Sequence, residues 1–492
     1  MIVAGVEVPE VPTGLYIGGR WREAAGGASF PVIAPTTEQT LVEVSAASAR
    51  DIDDAVKAAR AQADGGRWVN MSGAERGLLI SRLADAIERE AETFVTLEAL
   101  DVGRPAYEPR AVDIPCAIDV YRHFAGWADK LEGRTVIPAP AFGRERFAYT
   151  LREPLGVVGA VIAWNAPTMI AAWKLAPALA CGNAVVLKPA EDACLTALLL
   201  ARLADEVGFP AGVINVVPGL GAVAGAALVE HPGVDKVSFT GSPEVGREIA
   251  VTCARAMRRV TLELGGKSPQ VILPGADLGA VIPGVAGGFM ANQGEICAAG
   301  TRIFAAREVF DQVVEGLAEA ASAVKLGDPF DPQTTMGALI NRKQLERVSG
   351  YIEAGLAEGA KLVAGGSCPE REGYFVEPTV FAGEHGGNGL RIAREEIFGP
   401  VGLVLPFDDL DDALCQANDT SYGLGAYVWT DNLALAHRAA ARLKAGNVWI
   451  NGPGAPDARL PWGGRKGSGV GRELGFAGIE ENTEEKTVTV TL

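Results

Sequence analysis

Hydrophobic and polar positions change their spacing along the chain, and the change separates a helical part from a part in which strands alternate with helices. Between residues 50 and 130, apolar side chains such as Leu79, Leu83 and Ile87 return at the spacing of amphipathic helices. Asp51 and Ser72 stand where helices begin and belong to the residue types that cap helix N-termini. This part of the chain is therefore predicted to form a helical layer.

From about residue 151, short apolar runs alternate with helical stretches. This alternation is typical of parallel α/β sheets, in which helices connect neighbouring strands. We expect a first sheet from residues 157–162, 184–187, 213–217, 234–239 and 260–264, and a second sheet from residues 270–273, 301–305, 401–407, 425–429 and 447–450. The fold class is therefore predicted to be α/β, with two sheet domains that meet near residue 262.

The end of the chain has a strand pattern of its own. Residues 487–492 alternate threonine and valine, which is typical of a strand with two different faces. No hairpin partner precedes this run in the sequence, and an unpaired strand edge recruits another chain. We therefore predict a homo-oligomer, either a dimer or a tetramer.

The composition narrows the class of partner. The 492 residues are too many for one ordinary core, so two or three domains are expected. Lys and Arg number 44 against 61 Asp and Glu, and the resulting net charge of −17 disfavours broad binding to nucleic acid or to an anionic membrane. No targeting segment is visible, and the seven cysteines and four histidines lack metal-ligand spacing. We expect a reduced, cytoplasmic protein without a metal site.

Two glycine-containing turns follow predicted strands and are candidates for phosphate binding. Residues 219–224 form a weak version of the dinucleotide fingerprint, and an ordinary glycine-rich turn explains them equally well in a chain with 61 glycines. The turn through Gly241 and Ser242 is the stronger candidate. A helix that begins near Pro243 leaves free backbone N–H groups for an anion.

Lys188 and Glu191 follow another predicted strand, at the edge where the ribose of a nucleotide would lie. An ammonium and a carboxylate in this place offer a donor and an acceptor to sugar hydroxyls. A surface ion pair between the two side chains is the alternative interpretation.

Three side chains at predicted strand ends have the chemistry of acyl transfer. Cys297 lies after a helical stretch and among small residues, although by itself such a cysteine is more often a small core residue. Glu263 ends one predicted strand, and Asn165 follows another. A thiol, a carboxylate and an amide placed in this way can serve as nucleophile, base and oxyanion donor.

These segments together resemble the aldehyde dehydrogenase superfamily in its NAD(P)-dependent, non-phosphorylating form. The resemblance covers the chain from about residue 15 to its end, and the order and spacing of the segments are specific. The matching segments are 163–167 (AWNAP), 188–191 (KPAE), 239–242 (FTGS), 263–269 (ELGGKSP), 292–300 (NQGEICAAG), 395–400 (EEIFGP), 446–451 (GNVWIN), 461–464 (PWGG) and 468–473 (SGVGRE).

The resemblance implies two Rossmann-like parallel-sheet domains, one for the cofactor and one for catalysis, and a small β element for oligomerisation. The cofactor-binding domain would take residues 1–130, 151–262 and 461–479. The catalytic domain would take residues 263–460, and the oligomerisation element residues 131–150 and 480–492.

The resemblance also implies a role for each catalytic residue. Cys297 would attack the aldehyde carbonyl, and the Asn165 side chain and the Cys297 backbone N–H would hold the oxyanion. Glu263 would deprotonate the water that hydrolyses the thioester, which partial burial favours by raising the pKa of this carboxyl. Lys174 and Glu473 would pass the proton to solvent, although a packing or salt-bridge role explains them nearly as well. The products would be the carboxylate and NADH.

NAD is the cofactor that the resemblance implies. A carboxylate at Glu191 accepts hydrogen bonds from a ribose 2′-hydroxyl and repels a 2′-phosphate, so NAD is favoured over NADP. Lys188 partly offsets this repulsion, and use of NADP stays open. The residues assigned to cofactor binding are Trp164, Lys188, Glu191, Gly221, Gly241, Ser242, Gly265, Glu396 and Phe398.

The residues assigned to the substrate pocket make it wide and apolar. Such walls favour a bulky, uncharged aldehyde of aromatic or terpenoid type. An inward-facing Arg459 would instead favour a semialdehyde that carries an acid. The assigned pocket residues are Ala166, Met169, Trp173, Ala291, Ile296, Ala298, Pro456 and Trp462.

Two other functions share part of this residue set. A CoA-acylating relative has the nucleophile and the oxyanion donor but commonly lacks the base, so Glu263 argues against it. A non-catalytic member with a scaffolding role has no need of Cys297, Asn165 and Glu263 together. NAD-dependent oxidation of an aldehyde to the carboxylic acid is therefore the expected function.

Overall fold

A computed structural model describes residues 2–492 of the chain. The strands, in chain order, are β1 (Ile2–Val3), β2 (Val6–Glu7), β3 (Leu15–Ile17), β4 (Arg20–Arg22), β5 (Ser29–Ile33), β6 (Thr40–Ser45), β7 (Thr135–Val136), β8 (Arg146–Pro154), β9 (Val157–Val161), β10 (Ala184–Lys188), β11 (Ile214–Val216), β12 (Lys236–Thr240), β13 (Arg259–Glu263), β14 (Pro269–Ile272), β15 (Arg302–Ala306), β16 (Lys361–Ala364), β17 (Thr379–Ala382), β18 (Val401–Phe407), β19 (Gly425–Trp429), β20 (Asn447–Ile450), β21 (Gly469–Val470) and β22 (Thr483–Thr491).

The α-helices, in chain order, are α1 (Ala49–Ala63), α2 (Gly73–Arg89), α3 (Ala91–Val102), α4 (Ile114–Ala125), α5 (Pro167–Ala180), α6 (Leu195–Val207), α7 (Ala226–Glu230), α8 (Pro243–Arg255), α9 (Leu278–Met290), α10 (Phe310–Ser322), α11 (Arg342–Ala357), α12 (Arg391–Arg394), α13 (Leu410–Asn418), α14 (Leu433–Arg442) and α15 (Gly475–Glu480). Short π-helical turns are Pro109–Asp113 and Gly221–Gly225, and short 3-10 turns are Ala291–Gly294, Gly387–Gly389 and Lys466–Ser468.

The first large sheet has eight strands in the order β21-β13-β12-β9-β10-β11-β3-β4. Its five central strands, from β13 to β11, run parallel, and the outer pairs β11-β3, β3-β4 and β13-β21 are antiparallel. The five strands predicted for this sheet are all present, with small shifts at their ends. The sheet therefore gathers segments from the beginning, the middle and the end of the chain.

The second large sheet has seven strands in the order β16-β17-β18-β15-β14-β19-β20. All of its neighbours run parallel except the pair β16-β17. The strands β18, β19 and β20 have the predicted bounds, whereas β16 and β17 were not predicted. The residue limits assigned to the domains stay a prediction.

Burial explains why these apolar runs form the central strands. Every residue of β9, β10 and β18 is buried. Strands of a parallel sheet are covered by helices on both faces, so each position can be apolar. Parallel strands also end at one edge of their sheet, and the loops that leave this edge are where ligands bind in such folds.

The helical layer forms as predicted, but its first N-cap is a different residue. Ser72 caps α2, as predicted. The prediction of Asp51 as a cap is wrong, because Ser48 caps α1 and Asp51 lies inside the first turn. The Asp51 carboxylate accepts the backbone N–H of Ser48 at 2.9 Å. This capping box satisfies donors at both positions, which explains why the acid lies three residues after the cap.

The C-terminal strand has a partner within the chain. β22 pairs antiparallel with β8 over its whole length, and β7 continues this small sheet. The prediction of an unpaired strand is therefore wrong for one edge, and only the outer edge of β22 lacks a partner strand among residues 2–492. The segment between β7 and β8 exposes large apolar side chains, with Ile137 87% exposed and Phe142 fully exposed.

The helices are short compared with the thickness of a lipid bilayer. The longest helix, α2, has 17 residues. Within residues 2–492, no helix has the length and apolar character that crossing a membrane requires.

Candidate active site

Loops at strand ends carry the three residues with the chemistry of acyl transfer. Asn165 lies between β9 and α5, Glu263 is the last residue of β13, and Cys297 lies just before β15. Pro167 is the first residue of α5. Proline is favoured at this position and fixes the start of the helix, so Asn165 stays in the loop.

The side chain of Asn165 is buried and tied to the segment that carries Cys297. Its Nδ2 donates to the carbonyl oxygen of Glu295 at 2.8 Å. The Nδ2 of Asn292 donates to the carbonyl oxygen of Asn165 at 2.9 Å. An amide held in this way keeps one orientation, and its second N–H can donate to a negatively charged oxygen.

Cys297 is half-buried, and its surroundings favour the protonated thiol. Burial raises the pKa of the thiol to about 12, and the carboxyl groups of Glu263 and Glu396 also raise it. A Cβ at Gly266 would overlap the carbonyl oxygen of Cys297, so only glycine fits there. The thiol therefore needs a base before it can act as a nucleophile.

Glu263 is buried, and neither of its carboxylate oxygens has a hydrogen-bond partner among residues 2–492. Burial raises the pKa of this carboxyl well above its usual range, and the charge of Glu473 raises it further. Lys174 and Arg472 oppose the shift. Gly463 leaves room for the carboxylate, since a Cβ there would lie 2.8 Å from Oε1. A buried acid whose oxygens accept no hydrogen bond and whose pKa is raised is suited to taking up and releasing a proton.

Lys174, Glu473 and Ser238 form a closed triangle of hydrogen bonds. Lys174 Nζ donates to Glu473 Oε1 at 2.7 Å and to Ser238 Oγ at 3.1 Å. Ser238 Oγ donates to the same Glu473 oxygen at 3.0 Å. All three side chains are buried, so the opposite charges compensate each other within the triangle.

Lys188 lies at the end of β10 and forms an ion pair with Glu191, which was the alternative to a role in binding ribose. Lys188 Nζ lies 2.9 Å from Glu191 Oε2, and the Gly221 N–H donates to Glu191 Oε1 at 3.3 Å. Burial raises the pKa of Glu191, but Lys188 and the backbone N–H groups of Glu191 and Gly221 together lower it, and the net shift is downward. The exposed side chains of Leu220 and Val223 flank Gly221 in the sequence. A charged acceptor therefore lies beside an apolar surface.

Ser242 caps α8 at the end of β12. Its hydroxyl accepts the Val245 N–H at 3.3 Å. The Gly241 N–H donates to the carbonyl oxygen of Glu263 at 3.1 Å, and a Cβ at Gly241 would overlap the ring of Phe239. The helix therefore begins at the strand end, as the sequence predicts, with the N–H groups of its first turn available at this edge.

Glu396 and Phe398 come from the loop before β18. Glu396 Oε1 accepts the Gly266 N–H at 2.9 Å, and burial raises the pKa of Glu396 to about 7. A Cβ at Gly265 would overlap the Glu396 carboxylate. Phe398 has a left-handed φ of 61°, and its ring meets that of Trp164 edge to face at 5.2 Å. This loop therefore meets the loops after β9 and β13.

Most residues assigned to the substrate pocket lie in one apolar cluster. The rings of Trp173 and Trp462 are 5.2 Å apart, and Trp449 lies 5.9 Å from Trp462. Ala291 and Pro456 are half-buried and lie outside the cluster. The assigned residues within the cluster are Ala166, Met169, Trp173, Ile296, Ala298 and Trp462.

A comparison with known families decides what kind of protein carries this site. Residues 21–488 match the aldehyde dehydrogenase family. The chain belongs to the aldehyde dehydrogenase family. Retinal dehydrogenase 2 of Homo sapiens is 44% identical to this aldehyde dehydrogenase over 482 residues, which are 98% of this chain and 92% of that protein.

Two solved structures show the same fold. An NAD+ complex of an aldehyde dehydrogenase from Bacillus cereus has a TM-score of 0.95 and 46% identity, and the match covers 98% of this chain and 97% of that chain. The AldA indole-3-acetaldehyde dehydrogenase of P. syringae, in complex with NAD+ and IAA, has a TM-score of 0.94 and 41% identity, with 98% and 97% covered. The predicted α/β fold is therefore confirmed.

Arg459 of this aldehyde dehydrogenase does not belong to the apolar cluster. Its side chain is 70% exposed and pairs with Asp457. Arg459 Nε donates to Asp457 Oδ1 at 2.7 Å, and Nη2 donates to the other carboxylate oxygen. The guanidinium is therefore matched by a carboxylate on the same loop.

Two residues near the site of this aldehyde dehydrogenase are not among the site residues predicted from the sequence. Ser238 lies on β12 between Val237 and Phe239, and the alternation of strand faces places it opposite both of them. The alternation of strand faces was therefore the one sequence signal that could have identified Ser238. Cys116 of α4 contacts Trp173, and burial raises the pKa of its thiol to about 12. A contact between two separate helices leaves no local pattern in the sequence.

Proposed function

We propose that this aldehyde dehydrogenase oxidises an aldehyde to the carboxylic acid with NAD, by way of a covalent adduct on Cys297. The observation that carries the proposal is the Glu263 carboxyl, which is buried without a hydrogen-bond partner among residues 2–492 and which raises the pKa of the Cys297 thiol. Burying an acid without a hydrogen-bond partner destabilises a fold. Such an arrangement is expected where the acid serves chemistry.

The first half of the reaction forms the adduct. Cys297 gives its proton to Glu263, and its Sγ forms a bond to the carbonyl carbon of the aldehyde. The carbonyl oxygen becomes an oxyanion, which the side chain of Asn165 and the backbone N–H of Cys297 stabilise. The chemistry that NAD supplies when bound is acceptance of a hydride from this carbon, which leaves a thioester on Cys297.

The second half of the reaction releases the acid. Glu263 first releases the proton that it took from Cys297 toward solvent and so becomes a carboxylate again. It then takes a proton from a water molecule, and the resulting hydroxide adds to the thioester carbon. The C–S bond then breaks, so that the carboxylic acid leaves and Cys297 departs as the thiolate. Glu473 and Lys174 pass the proton from Glu263 toward solvent, since they form the charged pair next to this base.

The residues at the edge of the first sheet fit NAD. Glu191 offers a charged acceptor to ribose hydroxyls, and Leu220 and Val223 offer an apolar surface to a flat ring. The first turn of α8 offers N–H groups to the pyrophosphate. The other residues proposed to hold the cofactor are Trp164, Lys188, Gly221, Gly241, Ser242, Gly265, Glu396 and Phe398.

We infer a bulky apolar aldehyde of aromatic or terpenoid type as the substrate. Trp173, Trp449 and Trp462 offer aromatic walls, and Arg459 is occupied by Asp457 at an exposed position. The relatives named above act, by their names, on retinal and on indole-3-acetaldehyde, which are apolar or aromatic aldehydes. These observations favour the apolar substrate over a carboxylated semialdehyde.

A panel of aldehydes tests the substrate. Benzaldehyde-type, long aliphatic and carboxylated aldehydes are compared by kcat/KM, each with NAD and with NADP. The highest kcat/KM is expected for an aromatic aldehyde with NAD. A highest value for succinic semialdehyde contradicts the apolar substrate.

The reaction class is tested through the nucleophile. We expect Cys297→Ser to abolish NADH formation, because a serine hydroxyl is a much weaker nucleophile than a thiolate. Cys368→Ser, at an exposed position, is the control and retains activity. Full activity of Cys297→Ser contradicts the proposed mechanism, and NADH formation that requires added CoA favours the acylating alternative.

We propose that the protein forms a homodimer or a homotetramer through the small sheet. The free edge of β22 and the exposed side chains of Ile137 and Phe142 support this proposal, because unpaired edges and apolar patches mark interfaces. Light scattering measures the mass in solution. A monomer at micromolar concentration contradicts the proposal.

A further inference from the structure

A buried cluster of charged side chains connects α3 with the turn Pro109–Asp113. Arg104 Nη2 lies 2.7 Å from Glu98 Oε1 and 2.9 Å from Asp113 Oδ2, and each of these side chains is at most 4% exposed. Buried ion pairs often stabilise a fold no better than apolar residues of the same volume. The cluster therefore calls for an explanation other than stability.

One arm of the cluster reaches the helix that follows Asn165. Thr168 Oγ1 donates to Glu98 Oε2 at 2.8 Å. Thr168 is in the first turn of α5, three residues after Asn165. Because Glu98 also pairs with Arg104, the start of α5 is tied to the charged cluster.

Glu108, which directly precedes the turn Pro109–Asp113, reaches the turn that precedes Cys297. The carboxylate oxygens of Glu108 lie 3.1 and 3.2 Å from the backbone N of Asn292, which donates to them. Burial raises the pKa of Glu108 to about 7, and the charge of Arg104 opposes this shift. Arg104 therefore favours the charged form of Glu108, which accepts the stronger hydrogen bond.

The backbone of Asn292 has an unfavourable conformation, which its hydrogen bond to Glu108 helps to hold. Asn292 and Gln293 have φ values of 48° and 54°, so two consecutive non-glycine residues are left-handed. Residues in this conformation persist where their surroundings hold them, and they cluster at functional sites.

Asn292 connects this anchor to the amide of Asn165. Its Nδ2 donates to the carbonyl oxygen of Asn165 at 2.9 Å and to that of Glu295 at 3.3 Å. The same Glu295 oxygen accepts from Asn165 Nδ2. The orientation of the Asn165 amide therefore depends on where Asn292 lies.

We propose that Glu108 is a positioning residue, which holds Asn292 in its left-handed conformation so that Asn292 orients the Asn165 amide. This inference rests on the proposed role of Asn165 as oxyanion donor. Loss of Glu108 then slows the chemical step and leaves NAD binding unchanged, because the residues proposed to hold the cofactor, apart from Trp164, lie on other segments.

Three variants test the inference by the first-turnover rate of NADH formation and by KM for NAD. Glu108→Ala is expected to lower the first-turnover rate about tenfold or more at unchanged KM, since small misplacements of catalytic groups are costly. Glu108→Gln keeps an accepting oxygen and is expected to restore most of the rate. Asn292→Gly keeps the backbone N–H and tolerates a positive φ but removes the side-chain amide, so it is expected to be as slow as Glu108→Ala.

The controls separate positioning from folding. Glu92→Ala removes another acid near the same segment, in an exposed pair with Arg110, and is expected to leave the rate unchanged. Alkylation of Cys297 by iodoacetamide, followed by mass spectrometry, is expected to be unchanged in Glu108→Ala, because it needs no oxyanion donor. If Glu108→Ala does not fold, Asn292→Gly decides.

Three results would overturn the inference: an unchanged first-turnover rate in Asn292→Gly, an equal loss in Glu108→Ala and Glu108→Gln, or a rise in KM for NAD that accounts for the loss. Failure of the proposed function itself gives a different result. In that case Cys297→Ser retains activity, whatever the Glu108 variants do.

Discussion

Glu473 raises the pKa of Glu263, although only one of these two carboxylates is held by hydrogen bonds. Glu473 Oε1 accepts from Lys174 and from Ser238, whereas the oxygens of Glu263 have no partner among residues 2–492. Burial and the neighbouring carboxylate therefore make Glu263 a carboxyl that readily holds a proton. This difference supports the proposed role of Glu263 as the base and of Glu473 as a residue that shifts its pKa.

Replacing Glu473 by glutamine is expected to change the pH dependence of thioester hydrolysis. The negative neighbour disappears while Lys174 stays, so the pKa of Glu263 falls and the rising acidic limb of the kcat profile moves to lower pH. Glu480→Gln, at an exposed position of α15, is the control. A limb that stays in place or moves to higher pH contradicts the coupling of Glu263 to Glu473.

Replacing Glu263 by glutamine is expected to stall the reaction after its first turnover. The thioester still forms, although more slowly, but water is no longer deprotonated. We expect a burst of NADH of about one equivalent per site and a steady-state rate that falls by about two to four orders of magnitude. Stopped-flow absorbance at the NADH band measures both phases. A burst that disappears while the steady-state rate is retained places the base elsewhere.

The same variant is expected to change the stability of the fold with pH. The folded pKa of Glu263 lies above the unfolded value of 4.5, so the native state keeps a proton that the unfolded chain releases. The stabilising contribution is complete below pH 4.5 and is lost as the pH rises through the folded pKa, by up to about 1.4 kcal/mol per pH unit.

Glu263→Gln has no such proton to lose. Its melting temperature relative to the wild type is therefore expected to rise between pH 5 and pH 8, and Glu480→Gln should show no comparable trend. Scanning calorimetry across this range measures the difference. A constant difference would mean that Glu263 titrates near its ordinary pKa.

Replacing Glu191 by glutamine is expected to relax the preference for NAD. The variant keeps an acceptor for the ribose hydroxyl and removes the charge that repels a 2′-phosphate, while Lys188 remains to attract it. We expect kcat/KM for NADP to rise about ten- to hundredfold relative to NAD. Glu206→Gln, an exposed acid on α6, is the matched control. An unchanged ratio would show that Glu191 does not contact this part of the cofactor.

Much of the fold could be predicted because its central strands are buried on both faces. β18 and β19 are buried throughout and are predicted with their observed bounds, as is the half-buried edge strand β20. The resemblance places residues 131–150 and 480–492 in one β element, but the register of β22 on β8 could not be predicted, since these segments are far apart in the sequence and no turn connects them. The cap at Ser48 was missed because its capping partner, Asp51, is itself a good cap residue.

Some residues of the candidate site could likewise be predicted from the sequence, and others could not. Cys297, Glu263 and Asn165 lie in segments with recognisable motifs, whereas the anchoring of Asn292 by Glu108 comes from a separate part of the chain. Ser238 lies within a strand that otherwise looks like core, so its place between Lys174 and Glu473 depends on tertiary contacts. Motifs therefore predict the groups that are proposed to react, whereas the residues that hold them follow only from the packing.

The first sheet joins strands from both ends of the chain, and this has a consequence for biosynthesis. Chains fold from the N-terminus as they leave the ribosome. Asn165, Glu263 and Cys297 are all made before β21 closes the edge of the sheet beside Glu263 and before Glu473 exists. A nascent chain therefore holds the Cys297 thiol and the proposed base before it holds the proposed path for their proton, and turnover is expected to begin only after the last segment docks.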